Sequence, residues 1–175
     1  MSAEYGTRNA EQIALVALGS NLGDSVATIR RAFVELAKLS ATPIRQSSLW
    51  QTTPVDCPPG SPLFVNAAVA LTPLPGETAD SLVMKLYTLE WDLGRRPKTV
   101  MNEARPIDID LIAFGAEVRN RPTLILPHPR AHLRRFVLQP LSEVAPDFML
   151  PGQSRSIAEL LAGLQTDESI TRITE

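Results

Sequence analysis

Asp108 and Asp110 stand two apart inside the run Arg105-Pro106-Ile107-Asp108-Ile109-Asp110-Leu111-Ile112. On a strand, alternate residues share a face at a spacing of roughly 6.5–7 Å. The two carboxylates therefore point together, and Ile107, Ile109 and Leu111 point to the other face, into a core. Like charges side by side on a half-buried strand repel. A divalent cation cancels that repulsion, and hard oxygen ligands suit Mg2+; a wet strand face carrying two acids meets the same spacing. Arg95, Arg96, Lys98 and Arg105 lie in one loop before the acids, and His128, Arg130, Arg134 and Arg135 follow them. The guanidinium fork matches phosphate oxygens bidentately, and phosphoryl-type transfer needs fixed cations beside a metal. A solvated charged loop is the plainer account of the same residues. Phe64 and Asn66 alternate on a second strand, and Phe136 is a further ring. Rings of this kind stack flat heteroaromatic ligands, and an Asn amide donates and accepts at once, although on these residues alone a core ring and a satisfied Asn are the stronger account.

These residues must be placed by their neighbours. Ile13 to Leu18 is a continuous apolar run and predicts a buried strand. It stops at Gly19-Ser20-Asn21-Leu22-Gly23-Asp24, where Asp24 or Ser25 can cap a helix with the stripe Val26, Ile29, Phe33, Leu36 and Leu39. The glycines match neither the Walker nor the dinucleotide spacing, so a plain strand-to-helix turn is the default. Ile44 to Thr53 predicts one strand, Pro54 to Pro62 a long functional loop, and Leu63 to Thr72 another strand. Pro75-Gly76-Glu77 opens a helix with Leu82, Leu86, Leu89 and Leu93 as its stripe and Gly94 as its end. The turn Gly115-Ala116-Glu117 predicts a hairpin flanked by Phe114 and Val118. Leu124 to Leu126 is a short strand, and helices are expected from Arg130 to Gln139 and from Ser156 to Leu164. The mixture, with at least one hairpin, predicts an α+β sandwich with a mainly antiparallel sheet.

The chain has 175 residues, 44% of them hydrophobic, and a formal net charge of −2. That size predicts one domain, 13–175, after a loose polar tail at 1–12. The charge balance speaks against nucleic acid or a lipid surface as a bulk partner, and no apolar run approaches the ~20 residues of a membrane span. Cys57 is the only cysteine; a single thiol in a Pro-rich loop reads as an incidental exposed residue, and its solitude fits a reducing, cytoplasmic compartment. There is no zinc spacing and no acyl-transfer triad.

Several segments occur in a fixed order: Gly19-Ser20-Asn21-Leu22-Gly23-Asp24, Ser47-Ser48-Leu49-Trp50-Gln51-Thr52-Thr53-Pro54, Phe64-Val65-Asn66-Ala67-Ala68-Val69, Gly94-Arg95, the aspartate strand, Pro127-His128-Pro129 and Arg134-Arg135-Phe136-Val137-Leu138-Gln139-Pro140-Leu141. In these segments the chain resembles the 6-hydroxymethyl-7,8-dihydropterin pyrophosphokinases of folate biosynthesis, from about Ile13 to Leu164. The resemblance implies a ferredoxin-like sandwich and transfer of the β,γ-diphosphate of ATP to the pterin hydroxymethyl group, leaving AMP. It implies two Mg2+ ions on Asp108 and Asp110 and a clamp from Arg95 and Arg105. For ATP it implies Glu90, Arg96, Lys98, Leu111, His128 and Arg134. For the pterin it implies Phe64, Phe136 and Asn66, with Gly19 as a close-approach glycine and backbone groups near Thr52 and Val55. The partners expected are these small molecules alone, with no nucleic acid or membrane, acting on a monomer. A pterin- or nucleotide-binding paralogue with weakened catalysis is the alternative.

The chain departs from the family pattern in the basic loop. Many members carry Arg-Trp-Gly-Pro where this chain has Met101-Asn102-Glu103-Ala104. Pro97 replaces a frequent arginine, and Pro106 replaces a usual threonine. The missing Trp predicts weaker loop ordering, with the acid pair and arginine clamp intact.

Overall fold

The computed structural model describes residues 13–174, so the expected tail at 1–12 lies outside the described residues. The apolar run forms β1 (Ala14–Ser20), and Asp24 caps α1 (Ser25–Ala37) by accepting from the Ala27 N–H at 3.1 Å. After β2 (Arg45–Gln46) and β3 (Trp50–Thr52) come β4 (Phe64–Leu71), buried along its whole length, and α2 (Ala79–Asp92). The helix starts behind a Thr78–Ser81 capping box rather than at Pro75. The aspartate run is β5 (Asp108–Phe114). β6 (Arg119–Arg121), β7 (Leu124–Leu126), a 3-10 turn (Ala131–Leu133), α3 (Arg135–Val144), α4 (Ile157–Gly163) and β8 (Ile170–Arg172) complete the chain.

The main sheet runs β5-β1-β4-β3-β8, with β2 also on β4, and every pairing is antiparallel. The β-α-β-β-α-β order with this arrangement is the ferredoxin-like sandwich. One face is sealed by α1 and α2: Ile29, Phe33, Leu36, Leu82, Leu86 and Leu89 pack on Val16, Leu18, Val69, Ile109 and Leu111. The opposite face is sealed over part of its area only, where Val137, Leu138 and Leu141 of α3 and Ile157 and Leu160 of α4 cover Leu15, Ala68, Ala70 and Ile112. The uncovered part of that face, toward the end of β1, is where chemistry becomes possible. No helix among the described residues is long and apolar enough to cross a membrane.

Four further elements differ from the sequence expectation. The strand expected over Ile44 to Thr53 is broken at Ser47, whose Oγ accepts from the Ala68 N–H at 2.8 Å while its own N–H donates to the Ala68 carbonyl at 2.9 Å. A side-chain oxygen thus takes the place of a ladder carbonyl. No hairpin forms across Gly115, because the Gly115 N–H turns back to the Ile13 carbonyl; β6 pairs with β7 instead. The helix expected from Arg130 to Gln139 begins at Arg135 and runs through Pro140 to Val144, since the apolar face Val137, Leu138, Leu141 and Val144 outweighs the one ladder bond that proline forfeits. β8 has no counterpart in the expectation; it pairs with β3.

Candidate active site

A single rung of the sheet sets out the site. Asn66 on β4 lies opposite Gly19 on β1, and Gly19 lies opposite Asp108 on β5. The next rung carries Ala68, Ala17 and Asp110. With strands roughly 4.8 Å apart, Asn66 and Asp108 sit roughly 10 Å from one another. The residue between them has no side chain, so the floor is flat. A Cβ on Gly19 would lie 2.9 Å from the Asn66 Oδ1. This floor, walled by the Pro-rich loop, the basic loop and the start of α3, forms a cleft of about 280 Å³.

Gly19, Thr52, Val55, Phe64, Asn66 and Phe136 all line the cleft. Asn66 is buried and donates its Nδ2 to the Thr52 Oγ1 at 2.6 Å, which fixes the amide plane and leaves Oδ1 facing Gly19. Each ring carries an arginine: Arg105 lies 5.3 Å from the Phe64 centroid, and Arg134 lies 5.4 Å from that of Phe136. Lys98, Arg105, Asp108, Asp110, His128 and Arg134 line the other end.

Asp108 is drawn between two arginines, Arg95 at 3.4 Å and Arg105 at 3.5 Å. Arg95 is anchored by a 2.7 Å bond to the Ile107 carbonyl, and the Arg105 Nε is buried without a hydrogen-bond partner. Asp110 is exposed on the cleft side of β5. Loss of hydration, then the neighbouring charges of Asp108 and Glu90, push its carboxyl up to about 7. His128 is held against the strand by its N–H bond to the Ile112 carbonyl. Its Nδ1 accepts from the Arg130 N–H at 3.2 Å, which leaves Nε2 as the protonated nitrogen of the neutral ring. Burial, then Arg134 and Arg130, hold the imidazole below its ordinary value, so it is neutral at pH 7.

Three of the expected nucleotide residues stand off the cleft. The Arg96 guanidinium lies 4.0 Å over the Trp91 ring and donates to the Trp91 and Arg95 carbonyls. Leu111 points into the core on the far face of the sheet. Glu90, in the last turn of α2, accepts from the Ile109 N–H at 2.7 Å, closing the free edge of β5; burial raises its carboxyl.

Other residues escaped the sequence reading. Asn21 is 4% exposed and grips the backbone of Arg105 from both sides, its Oδ1 accepting from the Arg105 N–H at 2.9 Å and its N–H donating to the Arg105 carbonyl at 3.1 Å. Its Nδ2 reaches the Pro62 carbonyl at 3.4 Å. The Gly-Ser-Asn turn therefore positions the arginine, a role its polar residues signalled only by sitting after a buried strand. Asp56 and Asn102 both hold positive φ, 52° and 55°, and the Asn102 Nδ2 donates to the Asp56 carbonyl at 2.7 Å. That bond ties the two loops together. Glu103 orders the same segment by accepting from Thr99 and Val100. The Met101 to Ala104 segment thus has its own fastening in place of the missing Trp. Cys57 is half-buried in the cleft wall, its Sγ 3.3 Å from the Val55 carbonyl, rather than a bystander on the surface.

The donor set fits Mg2+. Two hard carboxylates on one face repel each other, and a bound cation would cancel that repulsion. Among the described residues no three His, Cys, Asp or Glu converge, so such a cation would complete its shell with water and ligand oxygens, as Mg2+ does at phosphate sites.

The chain is similar to known proteins over most of its length. A family model described as 7,8-dihydro-6-hydroxymethylpterin-pyrophosphokinase matches residues 15–146. The chain is 31% identical over 148 residues to a 2-amino-4-hydroxy-6-hydroxymethyldihydropteridine pyrophosphokinase of Synechocystis sp., across 85% of this chain and 74% of that one. It is 35% identical over 152 residues to the enzyme so named in Pseudomonas aeruginosa, across 84% and 88%. Among solved structures it is similar to the wild-type Plasmodium falciparum HPPK-DHPS with SDX-DHP, at a TM-score of 0.67 and 14% identity, over 86% of this chain and 44% of that chain. It spans less than half of that longer protein, and the likeness there is one of fold.

Proposed function

Because this chain belongs to the 7,8-dihydro-6-hydroxymethylpterin-pyrophosphokinase family, we propose a division of its cleft between the two substrates. The enzyme is an ATP-dependent diphosphotransferase of folate biosynthesis, which moves the β,γ-diphosphate of ATP onto 6-hydroxymethyl-7,8-dihydropterin. In this reaction the pterin hydroxyl oxygen attacks the β-phosphorus, the bond from that phosphorus to the α-bridging oxygen breaks, AMP leaves and the hydroxyl proton is lost.

The pterin lies over Gly19 between Phe64 and Phe136, its amide edge read by Asn66 and by backbone near Thr52 and Val55. The hydroxymethyl group then faces Asp108 across the floor. The triphosphate occupies the charged end, on His128, Arg134 and Lys98, with Arg95 and Arg105 on the diphosphate in flight. Asp108 and Asp110 would hold two Mg2+ ions, which supply charge neutralisation on the triphosphate and polarisation of oxygen. The protein's own part is to orient the acceptor oxygen in line, to present guanidinium groups before charge develops, and to exclude water by the tied loops. Glu90 and Leu111 enter through position only: the one fixes the edge of β5, the other offers backbone. Arg96 shapes the loop.

What supports this reading above all is the rung Asn66–Gly19–Asp108, in which a buried amide and a carboxylate share one flat floor lining the same cleft. We extend the reading to a single catalytic domain over 13–175, acting as a cytoplasmic monomer on small molecules. The test is product analysis. With Mg2+, ATP and the pterin, AMP should accumulate in step with the pterin diphosphate and only when the pterin is present. ADP as product, or AMP release that ignores the pterin, overturns the division; binding of both ligands without AMP would identify a non-catalytic paralogue.

A further inference from the structure

The helix that carries Phe136 lacks a cap of its own. Arg134 precedes it and makes no capping bond, and the free N–H of Phe136 in the first turn is taken by Glu168, whose Oε2 lies 3.1 Å away, 32 residues along the chain. A carboxylate at a helix N-terminus satisfies an orphan donor and sits favourably in the helix dipole. Glu168 also faces Arg134 and favours its charged form. It is held from behind, its own N–H donating to the Thr166 Oγ1 at 3.2 Å. The segment around it is fastened to the opposite wall of the same cleft: β8 pairs with β3 with Thr52 opposite Ile170, the Thr53 N–H donates to the Ser169 carbonyl at 3.3 Å, and the Ile173 N–H donates to the Leu49 carbonyl at 2.8 Å. Residues 166–173 thus bridge the strand bearing Thr52 and the helix bearing Phe136, both of which line the cleft. They lie beyond the segment matched by the family model, which ends at 146.

We infer that this C-terminal segment is a brace for the pterin pocket and that Glu168 is the positioning residue that sets the Phe136 ring. The inference rests on the reading of Phe136 as a pterin-stacking ring. Its test is steady-state kinetics on the full chain for wild type, Glu168→Ala and Glu168→Gln, with amide exchange followed at Phe136. Glu168→Ala should raise KM for the pterin about tenfold while kcat and KM for ATP stay within about twofold, and should speed exchange at Phe136 about tenfold or more, since a charge-assisted bond is lost. Glu168→Gln keeps an acceptor for the Phe136 N–H and should return pterin KM to within about threefold of wild type. An unchanged pterin KM in Glu168→Ala, or unaltered Phe136 exchange, overturns the inference while leaving the division of the cleft standing. Equal losses toward both substrates with a falling Tm also overturn it, because that is a plain folding role. A wild type with no pterin affinity overturns the reading of the cleft, and with it the role given to Glu168.

Discussion

At the Asn66 end of the cleft the geometry is fixed by the fold: the amide is held by one bond to Thr52 with its Oδ1 left toward Gly19, the floor is glycine and the walls are rings. At the Asp110 end the Asp108 carboxylate has only loose ion pairs of 3.4 and 3.5 Å, the Arg105 Nε lacks a hydrogen-bond partner, and Asp110 is held against its preferred ionisation. The first end has its shape and its amide plane set before any ligand arrives. The second holds charges that the fold itself leaves loosely paired, and under the proposed division these are the groups that would meet the nucleotide and its cation. Recognition of a neutral ring asks for shape and a fixed amide; handling a triphosphate asks for charges kept unsatisfied until the reaction needs them.

The sharpest way to break this contrast is at the charged end. Asp108→Ala and Asp110→Ala should each lower turnover on the order of 10³-fold or more, if charge compensation at the phosphates carries the rate. Binding of the pterin alone, followed by calorimetry without nucleotide, should stay within about threefold of wild type. A loss below about tenfold in AMP release would count against the metal roles. Collapse of pterin binding would show that the two ends are one unit.

The Asn66 end breaks through shape. Gly19→Ala places a Cβ 2.9 Å from the Asn66 Oδ1 and 3.7 Å from the Phe64 ring. The amide cannot retreat without leaving Thr52. Pterin affinity should fall about ten- to hundredfold, which is ~1.4–2.7 kcal/mol, with ATP affinity unchanged. On an Asn66→Ala background the same alanine should cost little further, because the clash has been removed; additive losses in that double-mutant cycle would show that Gly19 acts on something other than the amide.

The Asn66 end was also the more legible in the sequence. Phe64 and Asn66 alternate on a strand, and period two alone puts them together. β1, α1, β4, α2 and β5 announce themselves by apolar runs and stripes long enough to carry a period. The elements that escaped are those whose cause is tertiary. Ser47 breaks a strand only because Ala68 lies across from it, and Pro140 is tolerated only because the helix around it is pressed on the sheet. β8 is three residues long with no period to read, and it exists because β3 presents a free edge. In the site, residue types pointed to Asp108, Asp110, His128 and Arg134, and all four line the cleft. Arg96, expected beside them from its place in the loop, lies over the Trp91 ring instead of lining the cleft. Asn21 and Asn102 were invisible because their partners, Arg105 and Asp56, lie 84 and 46 residues away.

The smallest effect expected is one of stability, and it separates the two ends without any substrate. In the cation-free protein Asp110 titrates at about 7, against 3.8 ordinarily. Between those values the folded chain binds a proton that the unfolded chain has lost, so this group's contribution to stability falls as pH rises from about 4 to about 7, and its full penalty remains at higher pH. Asp110→Asn removes the penalty and should raise Tm at pH 8 by a few degrees, with water in the open cleft screening part of the gain, and by nothing at pH 4 (about 2–4 °C corresponds to 1 kcal/mol at this size). His128 runs with the opposite sign, since its depressed value costs stability as pH falls, but it is present in both proteins and cancels in the difference. Mg2+ with a non-hydrolysable ATP analogue should raise Tm for wild type and do so far less for Asp110→Asn, inverting their order. Asn66→Ala should show the reverse pattern, destabilising alone at every pH because it leaves Thr52 without its partner. If Asp110→Asn is no more stable than wild type at pH 8, the charged end is not held under strain, and the contrast between the two ends loses its electrostatic basis.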